Sequence, residues 1–432
     1  MSLQDLEFMM RRCTRCSYCK FIPVLKQDNR AYETCCPSIS RFNFHAYSGG
    51  GKLIVAQALV QGRVDYSDGL LDVIYRCNMD GACDISCKNQ SDLEPLQAML
   101  ELRAKCVEDG QLLSEHMLVI EGLKKEDNMM MKPKTDRGNW AKGLDVKDLT
   151  AEKADVLFHA GCRFSFDEEL WPIARGAVKL LKKAGLDVGI MGANETCCGG
   201  RAYEWGFQGE HTKYAEHNVE NWKTTRVKTI VTSCSDCYHA FKVLYDKIHK
   251  KPDIEILHTS EYFARLVREG KLNLTHKIPE TVTYHDPCHL GRLGEPWIHW
   301  DGIETVVAEG GLAGLVIQDP PKVFRRGANG VYDPPRDIIK SIPGIKFVEM
   351  ERIREYAWCC GAGGGVLEAY PDFAAWTAIE RINEAKSTGA DGIVTACPWC
   401  ERVFKDAIKK NGDSMKVYDI IELIEQATVK EG

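Results

Sequence analysis

The chain has 432 residues, 44% of them hydrophobic, and a net charge of -6, enough apolar content for two or three packed domains. It holds no uninterrupted apolar run of about 18 residues to span a bilayer, and its opening, MSLQDLEFMMRRC, lacks the basic-then-apolar order of a signal peptide. A cytoplasmic location is therefore expected, and the scattered Lys and Arg form no basic stripe that would point to nucleic acid.

Nineteen cysteines stand out in such a chain. Without a secretory signal they should stay reduced, where thiols serve metals or catalysis. Buried small hydrophobes would be irregularly spaced. These are regular.

Cys13, Cys16 and Cys19 form C-x2-C-x2-C, Cys36 precedes Pro37, and Cys77, Cys83 and Cys87 follow in CNMDGACDISC. In two-cluster ferredoxins each run grips one cluster, and a fourth cysteine before proline crosses to the other. That rule groups Cys13, Cys16, Cys19 and Cys87 at one cluster, and Cys36, Cys77 and Cys83 at the second. The second set is one thiolate short, and Asp80 holds the missing position. Either Asp80 is a ligand, or one iron is open, or it is absent, as in a 3Fe-4S site; Cys35 is a further substitute. A carboxylate oxygen is harder than a thiolate, so this cluster's potential and lability should differ from its neighbour's. Zinc is the alternative for the block, but it wants four ligands in a tetrahedron.

Between the half-motifs, Leu53, Ile54, Leu59 and Val60 recur at helical spacing. Residues 1–123 are thus expected to form an α-helical two-cluster ferredoxin-like domain, with Cys106 as a packed thiol outside every motif. Residues 124–150 are polar, unpatterned and broken by Pro and Gly, which predicts a linker. Met129 to Met131 could there tuck into the fold or meet a partner.

The remainder reads as a duplication. TIVTSCSDC ends at Cys237 and GIVTACPWC at Cys400, so Cys234 and Cys397 each open a C-x2-C after an apolar run. Upstream lie the pairs Cys197-Cys198 and Cys359-Cys360, and before them Cys162 and Cys288, each after a predicted strand. The modules span residues 151–275 and 276–432, and the second carries an insertion at about 293–328 containing Trp297, Trp300 and VVAEGGLAGLVI. The insertion could form a lid, a docking surface or an ordinary packed excursion. DEELWPIARGAVKLLKKAG has an apolar face at Leu170, Ile173, Ala177, Leu180 and Leu181, and leads to the strand LDVGIM. Such alternation predicts parallel sheets with the cysteines at the carboxyl ends of strands.

Five cysteines per module exceed the four that one zinc needs. Adjacent cysteines fit neighbouring irons more easily than one tetrahedral ion. Gly199 and Gly361 follow the pairs and are expected to take positive φ and let the backbone approach the inorganic core. A nucleotide-binding reading of GAGGG is the rival, but no strand-to-helix fingerprint surrounds it.

The pattern C-x34-CC-x35-C-x2-C, repeated in the second module as C-x70-CC-x36-C-x2-C because of the insertion, together with HDPCHLGR and GVYDPPRDII, resembles the cysteine-rich CCG domains of the heterodisulfide reductase family. With the ferredoxin block, the layout resembles the catalytic iron-sulfur subunit of the membrane-linked enzyme. The resemblance implies an α/β fold with two Rossmann-like modules, each holding a noncubane 4Fe-4S cluster at which a disulfide is split. One cluster would use Cys162, Cys197, Cys198, Cys234 and Cys237; the other would use Cys288, Cys359, Cys360, Cys397 and Cys400. Zinc at one module is the alternative. Two ferredoxin-type 4Fe-4S clusters would feed them. His289 and His285 flank Cys288 and are candidate proton donors, although either could instead hydrogen-bond a cluster sulfur.

The rival reading is a pure electron carrier, because similar modules occur in lactate and glycerol-3-phosphate oxidation systems and with benzoyl-CoA reduction. The resemblance also implies an anaerobic, multisubunit setting with a flavoprotein, a ferredoxin or a membrane cytochrome as partner. Membrane association would then come through that partner.

Overall fold

The computed structural model describes residues 2–88, 91, 93–248, 250, 253–296, 298, 300–308, 315–323 and 327–428. Its first part is helical. The Ser48 side chain accepts from the Gly51 N–H and so caps the helix Gly49–Val60. The helices Asp68–Tyr75, Ala82–Lys88, Pro95–Glu108 and Ser114–Glu126 follow. Pro95 opens its helix at the one turn where a missing N–H costs nothing. Leu53, Ile74, Leu102 and Ile120 are buried where these helices meet.

Two parallel sheets come next, as the sequence predicts. The first joins β1 (Lys147–Asp148), β2 (Val156–His159), β3 (Val188–Ile190), β4 (Thr229–Thr232) and β5 (Glu255–His258) in the order β1-β3-β2-β4-β5. The second contains β6 (Thr281–Tyr284), β9 (Lys346–Phe347), β10 (Gly392–Thr395) and β11 (Lys416–Asp419) in the order β11-β10-β6-β9. The duplication is visible in that order: β9-β6-β10-β11 repeats β3-β2-β4-β5. In each sheet the chain reverses its winding beside the first strand, and ligands of open α/β sheets sit at such a switch point.

Residues 124–150, expected as a linker, are built into the first module. β1 pairs with β3 at the sheet edge. Asn128 ties its own loop by accepting from the Met130 and Lys132 N–H groups, while Met129, Arg137 and Trp140 are buried. Asn128 and Arg137 turn their polar groups inward, while residues 131–136 between them remain exposed.

The insertion forms a separate antiparallel hairpin of β7 (Ile303–Ala308) and β8 (Leu315–Asp319). Glu295 closes its base, accepting from the Gly327 N–H at 2.6 Å and from Asn329 at 2.7 Å. Trp300 donates to the Pro320 carbonyl at 3.0 Å. Ile303, Val307 and Ile317 are exposed along the strands. Trp297 and residues 309–314 lie outside the described residues.

One side chain joins all three parts. Arg103, fully buried on the helix Pro95–Glu108, donates to the carbonyls of Ile74, Tyr75 and Cys77 in the helical domain. It also donates to Glu204 of the first module at 3.1 Å and Gly364 of the second at 2.7 Å. Nearby, His116 stacks on Trp205 at 4.4 Å and bonds the Gly365 carbonyl at 2.9 Å. Arg103→Met would leave five buried carbonyls without this donor. Unmade buried hydrogen bonds cost about 1–3 kcal/mol each, so destabilisation of at least about 3 kcal/mol is expected. Anaerobic thermal denaturation of the metal-loaded protein checks this, and an unchanged midpoint would contradict it.

Candidate metal centres

β2 delivers Cys162 and β4 delivers Cys234 and Cys237 to the carboxyl edge of the first sheet, where Cys197 and Cys198 come in from the loop after β3. The thiols form one hydrogen-bonded string: Cys162 with Cys197, Cys197 with Cys198, Cys198 with Cys237, and Cys237 with Cys234. The second module repeats it through Cys288, Cys359, Cys360, Cys400 and Cys397. All ten are buried. The strings also touch each other, because the Cys234 and Cys397 thiols are within hydrogen-bonding reach and Ser235 donates to the Ala396 carbonyl at 2.9 Å.

In each pair the second cysteine is pulled down, Cys198 to about 5 and Cys360 to about 6. The first cause is donation from its neighbour, Cys197 or Cys359; the next is donation from Cys237 or Cys400. Thiols that share protons in a buried string are a donor set for cations. The backbone fits such a load. Gly199 and Gly361 have φ of +74° and +101°, and each donates its N–H to Cys197 or Cys359 at 3.3 Å. Their missing Cβ atoms face protein, however: at Gly361 a Cβ would meet the Ala374 carbonyl at 2.4 Å, and at Gly199 it would meet His211 at 3.0 Å. Their close approach is to the protein's own chain. The residue whose Cβ would crowd a thiol is Gly161, 2.9 Å from Cys237 Sγ.

Arg137 adds a cation that the sequence pattern does not announce. It donates to Cys162 Sγ at 3.2 Å and pairs with Glu195 at 2.8 Å. Glu195 in turn accepts from the Ala160 and Gly161 N–H groups, which fixes the turn carrying Cys162.

The helical domain holds two more clusters of side chains. Cys13, Cys16, Cys19 and Cys87 line one small cavity; Cys36, Cys77, Asp80 and Cys83 line another. The helix start Gly49-Gly50 passes between them. Gly50 donates to Cys19 Sγ at 3.2 Å, and a Cβ on Gly49 would meet Cys83 Cβ at 2.7 Å. A helix N-terminus there is suited to neighbouring anionic groups. Cys35 turns away, toward the Cys19 carbonyl and Ser86. Asp80 lines the cavity with its carboxylate already engaged, at 3.1 Å from Arg292 and 3.3 Å from the Ala82 N–H. Lys52, unflagged by any motif, is buried in this lining: burial would discharge it, but Cys77, Cys36 and Cys83 hold it charged. Asn78 links the cavity wall to the second module by donating to the Gly361 carbonyl at 3.1 Å.

A family model described as "Cysteine-rich domain" (CCG) matches residues 156–242 and 322–405. The chain is 29% identical to a component of the "Dihydromethanophenazine:CoB--CoM heterodisulfide reductase" of Methanosarcina mazei, over 96% of this chain and 93% of that one. The chain thus carries two CCG cysteine-rich domains and is similar over nearly its whole length to heterodisulfide reductase subunits, themselves iron-sulfur oxidoreductases. It is also 29% identical to "Probable iron-sulfur-binding oxidoreductase FadF" of Bacillus subtilis, over 89% of this chain and 51% of that one. With "EtfAB:quinone oxidoreductase" of Syntrophomonas wolfei it shares 27% identity, over 82% of this chain and 46% of that one.

Within this heterodisulfide reductase-like architecture the two candidate histidines occupy different settings. His289 sits between first-module carboxylates, with Asp236 at 2.9 Å from Nδ1 and Glu204 at Nε2, and Nδ1 is 3.7 Å from Cys288 Sγ. Burial opposes its charge, but Glu204, Cys288 and Asp236 raise its pKa. His285, expected beside Cys288 as a proton donor, instead faces Cys360 and Cys400, with all three ligand atoms within 4.8 Å of one another. Arg381 donates Nε–H to His285 Nδ1 at 3.2 Å, so the ring proton must lie on Nε2, which has no other partner among the described residues. Burial first, and Arg381 next, push its pKa down to about 3. His285 is therefore neutral and held by Arg381 beside Cys360 and Cys400. Its counterpart His159 has the Glu195 carboxylate 3.7 Å from Nδ1. Replacing His285 with Leu should lower the potential of the second module's metal centre by tens of millivolts without loss of iron, since a polar imidazole beside the thiolates favours the more reduced state over an apolar side chain. Anaerobic redox titration followed spectroscopically, with an iron assay, reads both quantities.

Proposed function

We propose that this chain is the electron-transfer and catalytic subunit of a larger redox assembly. It would pass electrons from two ferredoxin-type 4Fe-4S clusters to two noncubane 4Fe-4S clusters that reduce a disulfide. The supporting observation is the placement of the thiols. The two four-residue sets meet at the Gly49-Gly50 helix start, Asn78 of the second set's wall bonds the Gly361 carbonyl next to Cys359-Cys360, and the two five-thiol strings meet at Cys234 and Cys397. A structural zinc would not call for a fifth thiolate.

The overall change is RSSR′ + 2 e⁻ + 2 H⁺ → RSH + R′SH. When bound, the clusters supply the electrons singly and an iron able to hold sulfur. The residues of this chain supply the rest. His289, bracketed by Glu204 and Asp236, holds a proton beside Cys288, while Arg137 offsets thiolate charge in the first module. For the second ferredoxin-type cluster, Cys36, Cys77 and Cys83 are the thiolate ligands. Asp80, already held by Arg292, is the carboxylate at the fourth position, and a 3Fe-4S cluster is the form without it. Partner redox proteins, a flavoprotein, ferredoxin or membrane cytochrome, deliver the electrons. Among the described residues no helix is long and apolar enough to cross a membrane.

A second reading, electron transfer to a partner without disulfide chemistry, is favoured by the likeness to the quinone oxidoreductase. One experiment separates the two. Anaerobically purified protein should carry about sixteen irons and negligible zinc, four irons for each of four clusters. After reduction it should be reoxidised by added disulfide, with two thiols formed per electron pair. Iron loading without disulfide-driven reoxidation would select the second reading; about eight irons with two zincs would overturn both. His289→Gln should slow thiol formation about 100-fold or more at unchanged iron content, the usual scale for a positioned proton donor. Unaltered turnover removes His289 from the mechanism.

A further inference from the structure

Of the two cavities in the helical domain, the one lined by Cys13, Cys16, Cys19 and Cys87 has a cysteine at the surface, because Cys16 is exposed. The segment that carries it is unusually apolar outside. Tyr18, Phe21, Val24, Leu25 and Phe44 are all exposed, Leu25 at 98%. Single exposed apolar side chains need no explanation, but five within residues 18–44, following Cys16 along the chain, concentrate apolar exposure on one segment.

The charge along that segment runs against the rest of the molecule. Residues 11–45 contain seven Lys and Arg (Arg11, Arg12, Arg15, Lys20, Lys26, Arg30 and Arg41) against two carboxylates, in a chain whose net charge is -6. Arg15 and His45 line the cavity itself, and Lys20 and Arg15 are within electrostatic reach of His45. No Asp or Glu lines this cavity among the described residues.

We propose that this face, resting on the electron-transfer reading above, docks a small acidic one-electron carrier protein that delivers electrons at Cys16. Apolar side chains interspersed with one sign of charge suit a brief redox encounter: the charge steers, and the small apolar contact holds the partner only long enough. Transfer from the carrier oxidises its reduced centre by one electron and reduces this chain by one, with no bond made or broken. An anionic membrane surface would also see the basic residues, but it gives no role to an exposed cysteine on the same segment.

The test uses the metal-loaded full chain, mixed anaerobically in a stopped-flow instrument with a reduced, acidic plant-type [2Fe-2S] ferredoxin as probe. The bimolecular rate should fall at least about 10-fold between roughly 20 mM and 0.5 M salt. The double variant K20E/K26E should lose about 10-fold at low salt and converge with the parent at high salt. L25S should be slower at both. Reduction by dithionite and iron content should not change in any variant, which separates lost docking from lost folding. A rate indifferent to salt and to charge reversal overturns the proposal. So does binding to anionic vesicles that K20E/K26E abolishes while the ferredoxin rate stays unchanged. Reduction is read before any disulfide is added, so this proposal and disulfide reduction can fail independently.

Discussion

Everything else in the molecule is arranged around one buried cation that has no carboxylate partner among the described residues. Arg103 satisfies carbonyls from the helical domain and from both modules, so three separately wound parts share a single guanidinium. Its planar fork suits that geometry, where a lysine's point charge would not reach five acceptors. The approach it requires is tight. Gly206 lies where a Cβ would fall 2.3 Å from the Arg103 carbonyl, so the first module rests directly on the backbone of this helix. The carbonyls it binds belong to functional stretches, since Cys77 lines a cavity and Gly364 lies in the loop after Cys359-Cys360.

That junction makes sense of the charges buried around the thiols. Ionised sulfur out of water is costly unless it is paired. Here Arg137, Lys52 and His289 stand close to individual cysteines, but three cations cannot offset the thirteen thiols beside them, counted as the ten in the modules and Cys36, Cys77 and Cys83 around Lys52. The cations supplied by the chain orient the thiols, and a bound cofactor's metal would complete the charge.

Much of this was legible in the sequence. The repeat of strand, cysteine, pair and C-x2-C fixed the module order, and the crossing rule sorted the eight helical-domain positions into the two groups that line the two cavities. The base of the insertion was legible too, because the repeat stops at Arg292 and resumes at Gly330. Other features had no sequence signal. Arg137 lies in a polar, unpatterned stretch, and only the folded chain places it on Cys162. Lys52 looks like any solvated helical lysine until the helix start passes between two cavities. His285 and His289 are indistinguishable as flanks of Cys288, yet one strand end turns the first beneath Cys360 while the second is held by residues of the other module. Spacing reports which residues share an element, and these roles depend on which elements meet.

His159 and His285 hold the same place in the two modules, three residues before Cys162 and Cys288, with a phenylalanine edge at 4.9 Å in each case. Behind the first stands a carboxylate, behind the second a guanidinium. Two copies of a half-length chain meeting across a twofold axis would have to present identical surroundings at both sites. Joining the halves in one polypeptide lifts that requirement. Each site can then accumulate its own neighbours while the ten thiols stay paired by position. The tandem arrangement thus converts a symmetric vessel into one with a distinguishable inlet and terminus, a direction that no assembly of equal halves could encode.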